Sequence, residues 1–335
     1  MKTRIRNIIH SLIRSLPDPT QELIFDESVK ILSRRGGYQE RLEKYYWDEG
    51  SRYWSSFAKP LRPSRDDISR YRSYLKEAIA LPYAPKVLLL GATPELRDVL
   101  AEFYQTAQVY IIDFSAAMFM MTSKKLRVAN ADRELWIKTN WMDTRLPENF
   151  FDVIIGDLIL QQFPAPSISD ALTRIAQLLK TNGTFIFRGR IAKETLSGRN
   201  VAEVVNEVIQ SSYENEHEGA FTLIWKLRDA HMHLPATSVP DRDSIIVCDL
   251  EKLLHETNIP AFITLAHRYL SLGAKRFPFR SFHAAMSAED FPTLLLRAFV
   301  VEKRGHASDY HDSEYFPLFL CRKKNSEIQS TNDTT

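Results

Sequence analysis

KVLLLGATPELRDVLAEFYQTAQVYIIDFSAAMF, residues 86–119, sets the organisation of the chain. Val87 to Leu90 form a short apolar run between Pro85 and Gly91. That is the pattern of a strand buried on both faces. Gly91 permits a sharp turn. Thr93 then reads as an N-cap, Pro94 as the first helical residue and Glu95 as an acid in the first turn. Leu96, Val99, Leu100 and Phe103 follow at helical spacing. A second β-rich run, Val109 to Ile112, stops at Asp113. The unit is strand, turn, helix, strand, acid, with the acid roughly 20 residues after the glycine, as in a nucleoside-binding α/β half. The turn approaches the ligand and the carboxylate accepts from ribose hydroxyls.

The missing glycines narrow the nucleoside. A dinucleotide site needs Gly-x-Gly-x-x-Gly and a helix N-terminus facing a pyrophosphate. Here Gly91 stands alone in the turn, and Glu95 occupies the place of a phosphate. Like charges would repel, whereas a ligand ammonium would suit Glu95. S-adenosylmethionine has a ribose and an ammonium and no phosphate. The stretch resembles motif I and the following acidic motif of the class I S-adenosylmethionine-dependent methyltransferases. Asp113-Phe114-Ser115 and Met118 match that family's acidic strand end, serine and methionine-containing helix. The family usually has an acid before its first glycine and a second glycine after it; Leu89 and Thr93 hold those places.

The resemblance continues to about residue 190. Trp136 to Thr139 read as a third strand, leading into Asn140-Trp141-Met142-Asp143. By resemblance Asp143 binds the adenine amine and Met142 flanks the ring. Phe151 to Ile155 read as a fourth strand, with Asp157 and Leu158 leaving its carboxyl end, where open α/β sheets place reacting groups. Residues 168–179 read as a helix, 180–184 as a turn containing Gly183, and 185–187 as a fifth strand. The implied cofactor set is Gly91, Ala92, Thr93, Glu95, Asp113, Phe114, Met118, Met142, Asp143, Asp157 and Leu158.

The flanks are helical in character. Residues 1–80 read as an N-terminal helical lid, with helices over 26–33 and 39–57 and one from Ser64, its N-cap, to about 80. The first 16 residues are basic and amphipathic and keep charges throughout, unlike a signal peptide. Residues 81–325 form the expected Rossmann-like α/β domain, with helices on both faces of the sheet. Within it, 191–310 read as a mostly helical, acceptor-side insertion before the last strands: helices over 201–213, 221–231, 249–256 and 289–301, and a strand over 261–270. Residues 314–322 read as a final strand in an antiparallel edge hairpin, and 326–335 as a disordered tail.

Composition excludes several classes. Hydrophobic content of 44% is ample for a large core. A net charge of +2 with dispersed basic residues argues against a dedicated nucleic-acid binder. Cys248 and Cys321 are isolated, giving neither disulfide framework nor metal spacing, so the expected setting is the reducing cytoplasm. No apolar run is long enough to span a membrane.

Methyl transfer to oxygen usually needs a base, and histidine titrates in the right range. His231 and His233 in the insertion are the candidate bases, with His267, His283 and His311 as further histidines. His231-Met232-His233 lacks a third metal ligand at useful spacing, so no metal is expected. The Asn-Pro-Pro-Tyr signature of nucleic-acid amino methyltransferases is replaced by Gly156-Asp157-Leu158-Ile159. The expected activity is therefore O- or N-methylation of a small-molecule acceptor. A non-catalytic protein that keeps the fold and binds the nucleoside is the alternative, and a nicotinamide oxidoreductase the third.

Overall fold

Alternation along the strands divides the core in two. In β1 (Lys86–Leu90), Val87 and Leu89 point to one face of the sheet and Leu88 and Leu90 to the other. The same alternation runs through β2 (Gln108–Asp113), β4 (Phe151–Asp157) and β5 (Leu179–Arg188), so both faces require cover. In the computed structural model, which describes residues 54, 56–142, 146–163, 167–232, 239–255, 259–276 and 286–324, helices supply it. On the Val87 face lie α1 (Arg65–Ala78), α2 (Pro94–Ala101) and α3 (Ala116–Ser123), packing through Tyr71, Leu75, Leu96, Leu100, Met118 and Phe119. On the other face lie α4 (Ile168–Leu178) and α9 (Asp290–Ala298), packing through Leu172, Ile175, Phe291 and Leu295. Each fully buried side chain of this kind contributes about 1.5–3 kcal/mol.

The sheet has seven strands in the order β3-β2-β1-β4-β5-β7-β6, completed by β3 (Leu135–Lys138), β6 (Phe299–Gly305) and β7 (Leu318–Lys323). β1 to β5 are parallel; β7 runs antiparallel to β5 and to β6. Register aligns Leu90 with Ile112 on one side and with Gly156 on the other. Gly91, Asp113 and Asp157 therefore leave the same edge. The chain order reverses between β1 and β4, which makes that edge the topological switch point.

The margins differ from the centre. β3 is four residues long with Leu135 exposed. β6 carries exposed Glu302, Lys303 and Arg304 and breaks register against β7 between Val301 and Lys303.

A third core belongs to the helical layer of α5 (Val201–Ile209), α6 (Glu216–Ala230), α7 (Val239–Leu253) and α8 (Ala261–Arg276). Val204, Leu223, Leu227, Ile246, Leu250, Ile263, Ala266 and Leu270 form it, with Leu158 and Phe316 from the sheet side. Ionic contacts bind this layer to the C-terminal hairpin. The fully buried Lys226 meets Glu207 at 2.8 Å and also Asp312; Lys193 meets the same two carboxylates at 3.1 and 3.0 Å.

Several expectations need correction. Residues 261–270 belong to helix α8, not to a strand: Ile263, Ala266 and Leu270 share one helical face and are buried. The helix over 289–301 ends at Ala298, and Phe299 opens β6, which the sequence reading missed. The methionine-containing helix expected after Ser115 is short, Ala116–Ser123. The turn over 180–184 is an excursion within β5, where Asn182 has φ 63° and a Cβ on Gly183 would lie 2.9 Å from the Lys180 carbonyl oxygen. The helix expectations over 26–33 and most of 39–57 lie outside the described residues, as does the tail.

Candidate cofactor-binding and active site

The loop after β1 is built on Gly91. Its φ of 82° lies in the left-handed region, and a Cβ there would meet no atom within 4 Å. Conformation, not space, demands glycine at this position. The Gly91 N–H donates to the Ile112 carbonyl at 2.9 Å, so the loop begins hooked to β2. One residue on, the Ala92 N–H donates to Asp113 Oδ2 at 3.0 Å. Asp113 Oδ1 accepts the Ser115 N–H at 2.7 Å. These two bonds fix the orientation of a carboxylate that is 7% exposed. Ser115 caps α3 by accepting the Met118 N–H at 3.0 Å, and Phe114 is half-buried beside it. Thr93 is the N-cap residue of α2 as expected, but its side chain makes no capping bond.

Glu95 faces protein. Arg62, in the segment before α1, donates from Nε to Glu95 Oε1 at 2.8 Å and from Nη2 to the same oxygen. Arg62 Nη1 reaches the Trp54 and Phe57 carbonyls at 3.4 and 3.3 Å. Glu95 Oε2 is buried and has no hydrogen-bond partner.

Asp157 sits in a sealed ionic group. Arg188, at the end of β5 and fully buried, donates from Nε to Asp157 Oδ1 at 2.8 Å and from Nη2 to Oδ2 at 3.0 Å. Its Nη1 donates to Asp67 Oδ2 at 2.8 Å and to the Tyr310 hydroxyl at 3.3 Å. The Tyr71 hydroxyl accepts the Arg188 N–H at 2.8 Å and lies 2.8 Å from the Gly156 carbonyl and 3.1 Å from Asp157 Oδ1. One guanidinium thus faces two carboxylates. Burial pushes the Asp157 carboxyl above its ordinary range despite Arg188, and burial likewise raises the Tyr71 phenol. The next residue, Leu158, has φ 49°, a left-handed conformation that costs a non-glycine residue about 1–2 kcal/mol. Its N–H donates to the Arg188 carbonyl at 3.0 Å.

The remaining expected residues are spread out. Met118 lies in α3 and is buried in the core on the Val87 face, and Met142 packs against the opposite core with its N–H bonded to Asn140 Oδ1 at 3.0 Å. His231 caps the end of α6, is 7% exposed, and has Nδ1 2.8 Å from the Leu227 carbonyl oxygen. Asp143 and His233 lie outside the described residues. Sequence reading missed Arg62, Asp67, Tyr71, Arg188 and Tyr310. A signal existed: Asp67 and Tyr71 are four apart on one helix, and Arg188 directly follows a buried apolar run.

Residues 92–183 match the family model described as a methyltransferase domain. That match places a methyltransferase domain in this stretch of the chain, and the 3-2-1-4-5-7-6 sheet agrees with the resemblance to the class I S-adenosylmethionine-dependent methyltransferases. S-adenosylmethionine is the methyl donor that a domain of this kind implies. Among curated protein sequences none matches the chain significantly. A Rhodobacter sphaeroides structure classed provisionally with Zn-dependent alcohol dehydrogenases is 14% identical, with a TM-score of 0.52, covering 84% of this chain and 99% of its own. That likeness is one of fold; among the described residues no three His, Cys, Asp or Glu side chains gather as a metal site requires. The N-methyltransferase NodS of Bradyrhizobium japonicum, solved with S-adenosylhomocysteine, is 12% identical over 80% of this chain and 92% of its own, at a TM-score of 0.42. An S-adenosylmethionine-dependent methyltransferase assignment from Listeria monocytogenes is 13% identical over 77% of this chain and 100% of its own, also at 0.42. Among the described residues no helix is long and apolar enough to cross a membrane.

Proposed function

We propose that the chain transfers a methyl group to the oxygen or nitrogen of a small-molecule acceptor in the cytoplasm. The observation that carries the reading is the Ala92–Asp113 hydrogen bond at the switch-point edge. It holds an acid beside a backbone loop, the donor and acceptor set that a ribose needs. The orphaned Glu95 Oε2 adds a buried acceptor at the same edge, which suits a cationic ligand.

When bound, S-adenosylmethionine supplies a methyl group already activated on a sulfonium. The protein must then orient, exclude water and handle a proton. Asp113, fixed by two backbone donors, orients the nucleoside. The segment from Trp54 through α1 covers the edge from one side, and Leu158 joins the β4 exit to the helical layer. His231 is the candidate base, its ring oriented by the Nδ1 contact to the Leu227 carbonyl at 2.8 Å. Asp143 and His233 keep the roles proposed for them, adenine recognition and a second candidate base. A small molecule is the proposed acceptor, without nucleic acid or membrane.

The test is calorimetric titration with S-adenosylhomocysteine. Asp113→Ala removes two charge-assisted bonds to ribose, each worth about 1.5–3 kcal/mol. Affinity should fall by roughly 100-fold or more. Unchanged affinity in a folded variant removes Asp113 from the site. The non-catalytic reading draws support from Glu95 and Asp157, both held by arginines. It predicts normal binding with no methyl transfer to any acceptor in a broad O- and N-nucleophile panel.

A further inference from the structure

Motif I in this chain lacks the acid that usually precedes the first glycine; Leu89 stands there, fully buried in the sheet core. The charges that surround the start of α2 come from elsewhere. Arg62 reaches in from the segment before α1, and Glu95 comes from the first turn of α2 itself. Lys125 stands within electrostatic range of both, and burial together with the Arg62 charge holds its ammonium below the usual lysine range. Arg62 and Glu95 therefore stand paired at the start of α2.

The pair is incomplete on both sides. Glu95 Oε2 is buried without a partner, although Oε1 takes two bonds from Arg62. On Arg62, Nε donates once and Nη1 twice, while Nη2 spends one hydrogen on Glu95 and keeps one without an acceptor among the described residues. A buried acceptor without a donor is costly. A ligand carrying an ammonium and a carboxylate on one carbon matches both deficits, and the positive end of α2 favours the carboxylate. No single-charge ligand satisfies the two together.

We propose that Arg62 and Glu95 form a two-charge receptor for the amino-acid end of the cofactor, Arg62 taking the α-carboxylate and Glu95 the α-ammonium. This rests on the methyltransferase reading and replaces the acid missing before Gly91 with a pair assembled from two segments. In the ligand-free protein each member neutralises the other, so the receptor is held together before the ligand arrives.

Calorimetry with three nucleosides tests it: S-adenosylhomocysteine, its decarboxylated analogue, and methylthioadenosine, which lacks the amino-acid end. Arg62→Gln should weaken S-adenosylhomocysteine about 10- to 100-fold and leave the other two within about 3-fold. Glu95→Gln should weaken S-adenosylhomocysteine and the decarboxylated analogue and spare methylthioadenosine. Arg62→Lys, which keeps the charge, should recover part of the loss and serves if Arg62→Gln does not fold. Equal losses for all three nucleosides, or no change for S-adenosylhomocysteine, overturn the receptor. Wild-type protein that binds none of the three overturns the methyltransferase reading itself.

Discussion

Arg188 and Arg62 both tie the N-terminal segment to the carboxyl edge of the sheet, and they do so in opposite surroundings. Arg188 and its partners Asp67 and Asp157 have side chains 0, 0 and 3% exposed. Arg62 and Glu95 are 29 and 18% exposed, and each keeps an unused polar group. The sealed group also leaves one oxygen, Asp67 Oδ1, without a partner, so exposure is what separates the two: a group closed to solvent works as structure. An open one, screened by water, costs less to rearrange and can exchange its partner for a ligand. The difference favours an architectural role for Asp157 and fits the receptor proposed for Glu95, although the sequence presents both as acids just after a strand.

The largest expected effect breaks the sealed side. Arg188→Met leaves two buried carboxylates facing each other and should destabilise by about 3–5 kcal/mol in urea unfolding. Adding both Asp67→Asn and Asp157→Leu should recover a substantial part, because replacing a whole buried ionic group by neutral residues is often near neutral. A loss below about 1 kcal/mol for Arg188→Met would show that water reaches the group and would erase the contrast with Arg62.

The Lys226–Glu207–Asp312 group is an intermediate case. Burial would raise the Glu207 carboxyl, but hydrogen bonds from Lys226, Arg199 and Lys193 outweigh it and bring it down to about 2. A depressed carboxylate stabilises fully above its unfolded value of 4.5, and that contribution is lost as pH falls through about 2. The melting-temperature gap between wild type and Glu207→Gln should therefore be full above pH 4.5 and close toward pH 2. A gap independent of pH would make the contribution one of packing.

Smaller effects sharpen the comparison from the helix side. The Ser64 Oγ accepts the Asp67 N–H at 3.0 Å, and Asp67 Oδ2 accepts the Ser64 N–H at 2.9 Å, a capping box that also aims Asp67 at Arg188. Ser64→Ala should cost about 1 kcal/mol, by denaturant midpoint at unchanged slope. Arg62→Gln should be the mildest for stability, about 0.2–1 kcal/mol in the same experiment, as for other solvent-screened pairs. A loss as large as that of Arg188→Met would return Arg62 to the structural class.

The parallel half of the sheet was legible because strands buried on both faces leave uninterrupted apolar runs, as at Val87 to Leu90. The margin was not. Phe299-Val300-Val301 continues the apolar character of α9, and the charges after it mask the strand that pairs with β7. In α8, Phe262, Ile263, Thr264 and Tyr269 favour strands by propensity, and the helix is chosen by tertiary packing on α6 and α7. Within the site, Asp113 was legible from its place after β2. The partners of Glu95 and Asp157 were not, because sequence does not show that an arginine 33 residues upstream or 31 downstream claims the carboxylate.

The sheet margins bear on how the folded protein behaves when crowded. A long, flat, apolar border is a template on which another chain can add its own strand. Here one border is too short to register a newcomer, and the other is kinked out of phase and lined with opposite charges. Fibre-like growth from the native state is thereby discouraged. The aggregation hazard moves to chains caught before β1 and β4 have found each other, when their apolar runs are bare.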